Sequence, residues 1–131
     1  MSRRTDRGQS MVEFALVLPV LLMLVFGFLD LGRAVYSQSV VANAAREGAR
    51  AAVIHGSTNA EIRAAVKANA IGIAVTDADI TITPSAARVS GQQVLVRVTT
   101  RFYAVTPFVT QLMNNGADYL DLASSATMMV E

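Results

Sequence analysis

The rhythm of hydrophobic and polar positions changes twice along the chain. Across residues 11–29, "MVEFALVLPVLLMLVFGFL", nearly every position is apolar and no face is spared. At 1.5 Å of rise per helical residue that run covers roughly 30 Å, about one bilayer hydrocarbon core. Beyond it, "LGRAVYSQSVVANAAREGARAAVIHG" has no proline, and Leu31, Val35, Val41 and Val53 mix with a run of alanines, the residue of highest helix propensity. Together the two stretches predict one continuous helix over residues 9–55, closed by Gly56 as its C-cap. Pro19 removes one backbone donor and predicts a kink, which membrane helices tolerate when neighbours or local adjustments satisfy the freed carbonyl. Val41, Ala45, Gly48, Ala49 and Ala52 recur at spacings of three and four. They make a stripe of small side chains that lets another helix or a sheet approach closely.

After Gly56, "STNAEIRAAVKANAIG" predicts a short amphipathic helix. Its N-cap is Ser57, Thr58 or Asn59, Glu61 lies in its first turn, and Ile62, Ala65, Val66 and Ala70 form its apolar face. From Asp77 the period becomes two. "DITIT", "QQVLVRVTTRFYAV" and "YLDLASSATMMVE" read as three antiparallel strands, with Ser90 and Gly91 supplying turn chemistry between the first two. "PFVTQLMNNG" reads as a short helix, with Pro107 in its first turn and Gly116 at its end, carrying the chain to the last strand. Ile80, Ile82, Val94, Val96, Val98, Leu120 and Leu122 then form one sheet face, expected to pack on the apolar sides of the two helices. The expected fold class is α+β: a long N-terminal helix, membrane-spanning in its first half, with a short second helix packed on a three-stranded antiparallel sheet. The division is a leader at 1–8, a transmembrane helix at 9–30, its extramembrane continuation at 31–56 and a head at 57–131. The head is near the size at which a single core is marginal, so its packing on the long helix should matter.

Composition sharpens this picture. A chain of 131 residues that is 53% hydrophobic and 16% charged is membrane-anchored or unusually apolar, and the concentration of apolar residues near the N-terminus favours an anchor. Arg3, Arg4 and Arg7 precede the apolar run, so the N-terminus is expected in the cytoplasm and everything beyond Asp30 outside it. A net charge of +1 with scattered arginines argues against a nucleic-acid partner. The absence of cysteine excludes a disulfide framework and a thiolate metal site. No nucleophile, base and orienting group stand at a recognisable spacing, and there is no phosphate loop. His55, beside Gly56, reads as a helix-end residue interacting with the dipole. Asp77 and Asp79 read as a solvated turn without a ring of oxygen ligands, and Met128 and Met129 as core filling. No catalytic residue, metal or cofactor is therefore expected.

Glu13 is the exception within the apolar run. A carboxylate costs about 2.5 kcal/mol or more at the bilayer centre and less near an end, where Glu13 lies. Either it snorkels to the cytoplasmic headgroups or a specific cation neutralises it on assembly. Gly8 stands five residues before Glu13, with arginines upstream and apolar residues downstream, the pattern of type IV prepilin processing, in which the leader is cut after the glycine. The stretch "RRTDRGQSMVEFALVLPVLLMLVFGFLDLGRAVYSQSVVANAAREGARAA" closely resembles the TadE-like proteins, minor pseudopilins of the Tad (tight adherence, Flp pilus) system. The resemblance is carried by the basic leader, "GQSMVEFALVLP", the "GR" after the span and "AAREGARAA", and the ending "LASSATMMVE" is similar to the family's last strand. Residues 60–101 match in general character only. G-x-x-x-x-E alone occurs often by chance, and the specificity comes from all the pieces in order.

The resemblance implies a type IV pilin-like, pseudopilin architecture. It places Gly8 before the scissile bond, makes Gln9 the new N-terminus and Glu13 the fifth residue of the mature chain. Glycine leaves the backbone exposed for a protease at the membrane face. Glu13 would pair with the free amine of Gln9, on its own chain or a neighbour, offsetting the cost of a lone buried charge. Glu13, Phe14, Pro19, Ala45, Gly48, Ala49 and Ala52 become the helix-packing and assembly positions. The implied partners are a prepilin peptidase, other pilin and pseudopilin subunits, the inner-membrane pilus assembly platform and the lipid bilayer. The implied location is the cytoplasmic (inner) membrane, crossed once, with the pilus as a further location. Type IV pilins usually begin with Phe after cleavage, whereas this chain would begin with Gln9. Flp major pilins show Glu-Tyr where Glu13 and Phe14 stand and are much shorter, which disfavours the major subunit. The alternative is a signal-anchored membrane protein with an interaction domain unrelated to pili, which would keep its leader. A cleaved secretory signal would need a small-residue site just after the apolar run, and "DLGRAV" offers none in the usual place.

Overall fold

The computed structural model describes residues 3–54, 56–85, 88–106 and 117–131, with side chains from residue 8 onward. His55 and the expected helix after Pro107 lie outside the described residues. Helix α1 runs from Arg3 to Val53 without interruption at Pro19. It begins earlier than the expected residue 9: residues 3–8 contain no proline, and one glycine lowers helix propensity by only about 1 kcal/mol. Gly56 stops the helix with φ +82°, a left-handed conformation that a side chain resists, and the Ser57 N–H donates to the Ile54 carbonyl at 3.1 Å.

Helix α2, Asn59–Asn69, starts on a reciprocal cap. The Thr58 hydroxyl accepts the Glu61 N–H at 3.3 Å, and the Glu61 carboxylate accepts the Thr58 N–H at 2.7 Å. This selects Thr58 from the three cap candidates. A single 3-10 turn, Asp77–Asp79, leads into strand β1, Ile80–Thr83. Strands β2, Gln93–Phe102, and β3, Leu120–Met129, complete an antiparallel sheet of order β1-β2-β3. The register pairs Ile80 with Val98, Val94 with Met128 and Phe102 with Leu120. The α+β class expected from the periodicities is therefore the observed one.

Alternation decides which side chains enter the core. Ile80, Ile82, Val94, Val96 and Val98 are buried against Val41, Ala44, Ala45, Ala49 and Ala52 of α1 and Ile62 and Val66 of α2. Leu120 and Leu122, paired with Phe102 and Thr100 at the end of β2, are only half-buried. Met128 packs partly on the core, but Met129 is 62% exposed, so core filling holds for one of the two methionines: neighbours on a strand point to opposite faces. The second half of α1 lies along β2, β3 and α2, and Gln38 donates from Nε2 to the Ala123 carbonyl of β3 at 3.1 Å. At the far end, Arg88 donates to the Ser57 carbonyl at 2.7 Å and to Asn59 Oδ1, while Asn59 Nδ2 donates to the Ser85 carbonyl at 2.8 Å. These bonds clamp the β1–β2 connection to the turn between the helices.

Candidate functional site

Three places along α1 carry the chemistry. The first is its apolar half. Every large apolar side chain from Met11 to Leu29 except Leu18 is exposed, Met11 by 77% and Leu22, the least exposed of them, by 44%. Among the described residues nothing else covers this surface, and the stretch is long and apolar enough to cross a membrane. Such a surface in water would far exceed the apolar patches ordinary soluble monomers expose. Gly8, Gln9, Val12, Glu13 and Leu16 share one face at its start. Gly8 and Glu13 stand five residues apart, about 7.5 Å along the axis and about 140° around it. A β-carbon at Gly8 would meet nothing within 4 Å, so the backbone between Gly8 and Gln9 is open from that side. That bond lies within the helix. Phe14 and Pro19 are exposed on the same half of the helix.

The second place is the small-residue stripe. Ala45, Ala49 and Ala52 are completely buried, and Gly48 is buried with them. A β-carbon at Gly48 would collide with Val66 Cγ2 and stand 3.1 Å from Val96 Cγ1. The stripe is therefore occupied by α2 and β2 of the chain's own head. The structure keeps Ala45, Gly48, Ala49 and Ala52 apart from Gly8, Gln9, Glu13, Phe14 and Pro19, at opposite ends of one helix.

The third place was not singled out by the sequence. Asp30 is 3% exposed at the end of the apolar run. Its Oδ1 accepts the Val105 N–H at 3.0 Å and its Oδ2 the Thr106 N–H at 2.7 Å, while Arg33 Nη1 donates to Oδ1 at 3.1 Å. The carboxylate ties the segment after β2 to the turn of α1 where the apolar run ends. An Asp three residues before an Arg is visible in the sequence as a helical pair, but the two backbone donors lie 75 and 76 residues away and leave no local signal. Around this tie, the Arg33 guanidinium lies 5.4 Å from the Phe102 ring centroid and that of Arg101 lies 5.0 Å from Tyr119. The rings of Tyr103 and Tyr119 are 6.1 Å apart.

The acidic pair before β1 is satisfied locally. Lys67 Nζ lies 2.7 Å from Asp77 Oδ1 and holds the Asp77 carboxyl below the ordinary range. Asp79 accepts the Thr76 hydroxyl at 2.6 Å and the Thr76 N–H at 2.8 Å, which lower its pKa in the same direction. Among the described residues no group of three or more ligating side chains could hold a metal ion.

Residues 8–50 match the family model described as TadE-like protein. It is the family that the N-terminal residues resemble, and TadE-like proteins are structural, pilus-associated proteins of the Tad system. The match starts at Gly8, takes in the apolar run, Asp30 and most of the small stripe, and stops before α2 and the sheet. No curated protein and no solved structure matches the chain.

Proposed function

We propose that this chain is a minor pseudopilin of a Tad/Flp-type pilus, anchored in the cytoplasmic membrane and cut by a prepilin peptidase between Gly8 and Gln9. The observation that supports this reading best is the TadE-like match beginning at Gly8, on a helix that carries Glu13 five residues further on and whose apolar half is left exposed by the other described residues. The arginines before the run keep the N-terminus in the cytoplasm and the head outside. The role is structural. The apolar half of α1 stores the subunit in the bilayer and then packs laterally on other pilin helices, where the Glu13 carboxylate is offset by the amine of Gln9 on its own or a neighbouring chain. Since Ala45, Gly48, Ala49 and Ala52 are already covered, lateral packing falls to the membrane half, with Phe14 and Pro19 on its surface. The head presents the surface that docks on the filament or the assembly platform, in support of pilus assembly, adherence or secretion.

The test is co-expression of the full chain in membranes with a matching prepilin peptidase, followed by mass spectrometry of the N-terminus. A chain starting at Gln9, with Gly8→Val left uncut, is the expected result. Persistence of the Met1 end in the presence of an active peptidase overturns the reading in favour of a signal-anchored protein unrelated to pili.

A further inference from the structure

The end of the head nearest the apolar run is more aromatic and less covered than a solvated surface requires. Tyr103 is 56% exposed and Val105 66% exposed, and Phe102 and Tyr119 lie beside them, half-buried. Asp30 fixes how far this patch stands from the membrane. Its two bonds hold the backbone of Val105 and Thr106 level with the residue that follows Leu29, the last of the apolar run. Arg33, stacked on Phe102, lies four residues beyond Leu29, about 6 Å along the axis. The polar headgroup layer is roughly 5–7 Å thick on each side of the hydrocarbon core. If α1 spans the bilayer up to Leu29, the patch therefore lies within that layer, where aromatic rings with one polar end are favoured.

We propose that the base of the head, formed by Phe102, Tyr103, Val105 and Tyr119, rests in the lipid headgroup layer of the leaflet from which α1 emerges, with Asp30 holding it there. This rests on the reading of α1 as a membrane span, and goes beyond it by making the head a second lipid contact. The occupant is lipid because the patch is bonded to the last turn of the span itself. The contact is apolar and aromatic in origin. Arg33 is paired with Asp30, and Arg101 stands opposite Asp121 in the register of β2 and β3, so the patch has no cationic excess with which to select anionic lipid. Before release into a filament, the subunit must lift this base out of the lipid as well as withdraw its helix.

The chain has no tryptophan, so single substitutions report on single places. Full-length V105W, Y103W, L21W and V89W are reconstituted in phosphatidylcholine vesicles, with and without phosphatidylglycerol, and with nitroxide-labelled lipids bearing the quencher at the headgroup or deep in the acyl chain. Val89 is 66% exposed and lies in the β1–β2 connection at the opposite end of the head. Expected are quenching of L21W by the deep label, quenching and a shift to shorter wavelength of V105W and Y103W by the headgroup label, no quenching of V89W, and no dependence on phosphatidylglycerol. Adding Asp30→Asn to Y103W should weaken its quenching. If L21W is quenched while V105W and Y103W both behave as V89W, the head stands clear of the lipid and the inference falls alone. If L21W itself is unquenched, the span and the inference fall together. A requirement for phosphatidylglycerol would replace the apolar contact with phosphate binding and overturn the proposal as stated.

Discussion

The two halves of α1 are one continuous helix with opposite solutions to burial. Between Met11 and Leu29 it carries Leu, Val, Phe and Met on all sides and buries none of them in protein. Between Val41 and Ala52 it carries mostly alanine and one glycine, and buries one face completely. Large side chains suit a half that is fit to span a membrane, because lipid conforms to whatever shape it meets. Small ones suit the second because α2 and the sheet are rigid partners whose backbones must come close, and Val66 and Val96 fill the space that Gly48 leaves. Hydrophobicity alone thus does not say what a helix face is for. The size of its side chains does.

The comparison is tested first at Ile62, a fully buried large side chain of the α1–α2 contact. Ile62→Ala should destabilise the head by about 2–5 kcal/mol, through lost transfer energy and a residual cavity. Leu21→Ala, in the lipid half, should leave head stability unchanged. Urea denaturation of the full chain in phospholipid nanodiscs, followed by circular dichroism, measures both, and equal losses would erase the distinction. Next, Gly48→Ala should cost about 1–3 kcal/mol by overpacking against the stiff, β-branched Val66, although alanine is the better helix former. Gly27→Ala, where a β-carbon meets nothing within 4 Å, should be neutral or slightly stabilising in the same assay. A neutral Gly48→Ala would mean that α2 is not held closely.

Smaller effects lie away from the contact. Thr58→Ala removes the cap of α2 and should cost about 1 kcal/mol, seen as a lower denaturation midpoint and faster amide exchange in the first turn of α2. The smallest effect is acid sensitivity confined to the head. Glu61 is lowered by the backbone and hydroxyl of Thr58, and Asp79 by the hydroxyl and backbone of Thr76. Both carboxyls titrate lower folded than unfolded. Their contribution is therefore complete above the unfolded values, near pH 4, and disappears as the pH falls through the lower folded ones. Head stability should accordingly be flat from neutral pH to about pH 5 and decline below it, while the helicity of the membrane half does not change. A head that grows more stable on acidification would contradict these hydrogen bonds.

Much of the fold is legible because its determinants are local. An unbroken apolar run, an alanine-rich continuation closed by Gly56, a Thr-x-x-Glu cap and a switch to two-residue alternation each act within a few residues, and each has its counterpart in α1, α2 and the three strands. The same locality explains the differences. No proline stops the helix in the leader, so α1 extends back to Arg3, and alternation continues past Phe102, where β2 ends. Along the candidate site, the Gly8 to Glu13 spacing could be read directly. What occupies the small stripe could not: a face of Ala45, Gly48, Ala49 and Ala52 fits another subunit as well as it fits this chain's own head.

By itself the sequence determined where a helix is apolar on every side, where it becomes narrow, and where alternation begins, because spacing along the chain sets those properties within one or two turns. Only the tertiary structure decided that the narrow face is closed by Val66 and Val96, and that Asp30 is bonded to the backbone of Val105 and Thr106. Those contacts join residues separated by 18 to 76 positions, and they exist only once α2 and the sheet have folded back along the helix.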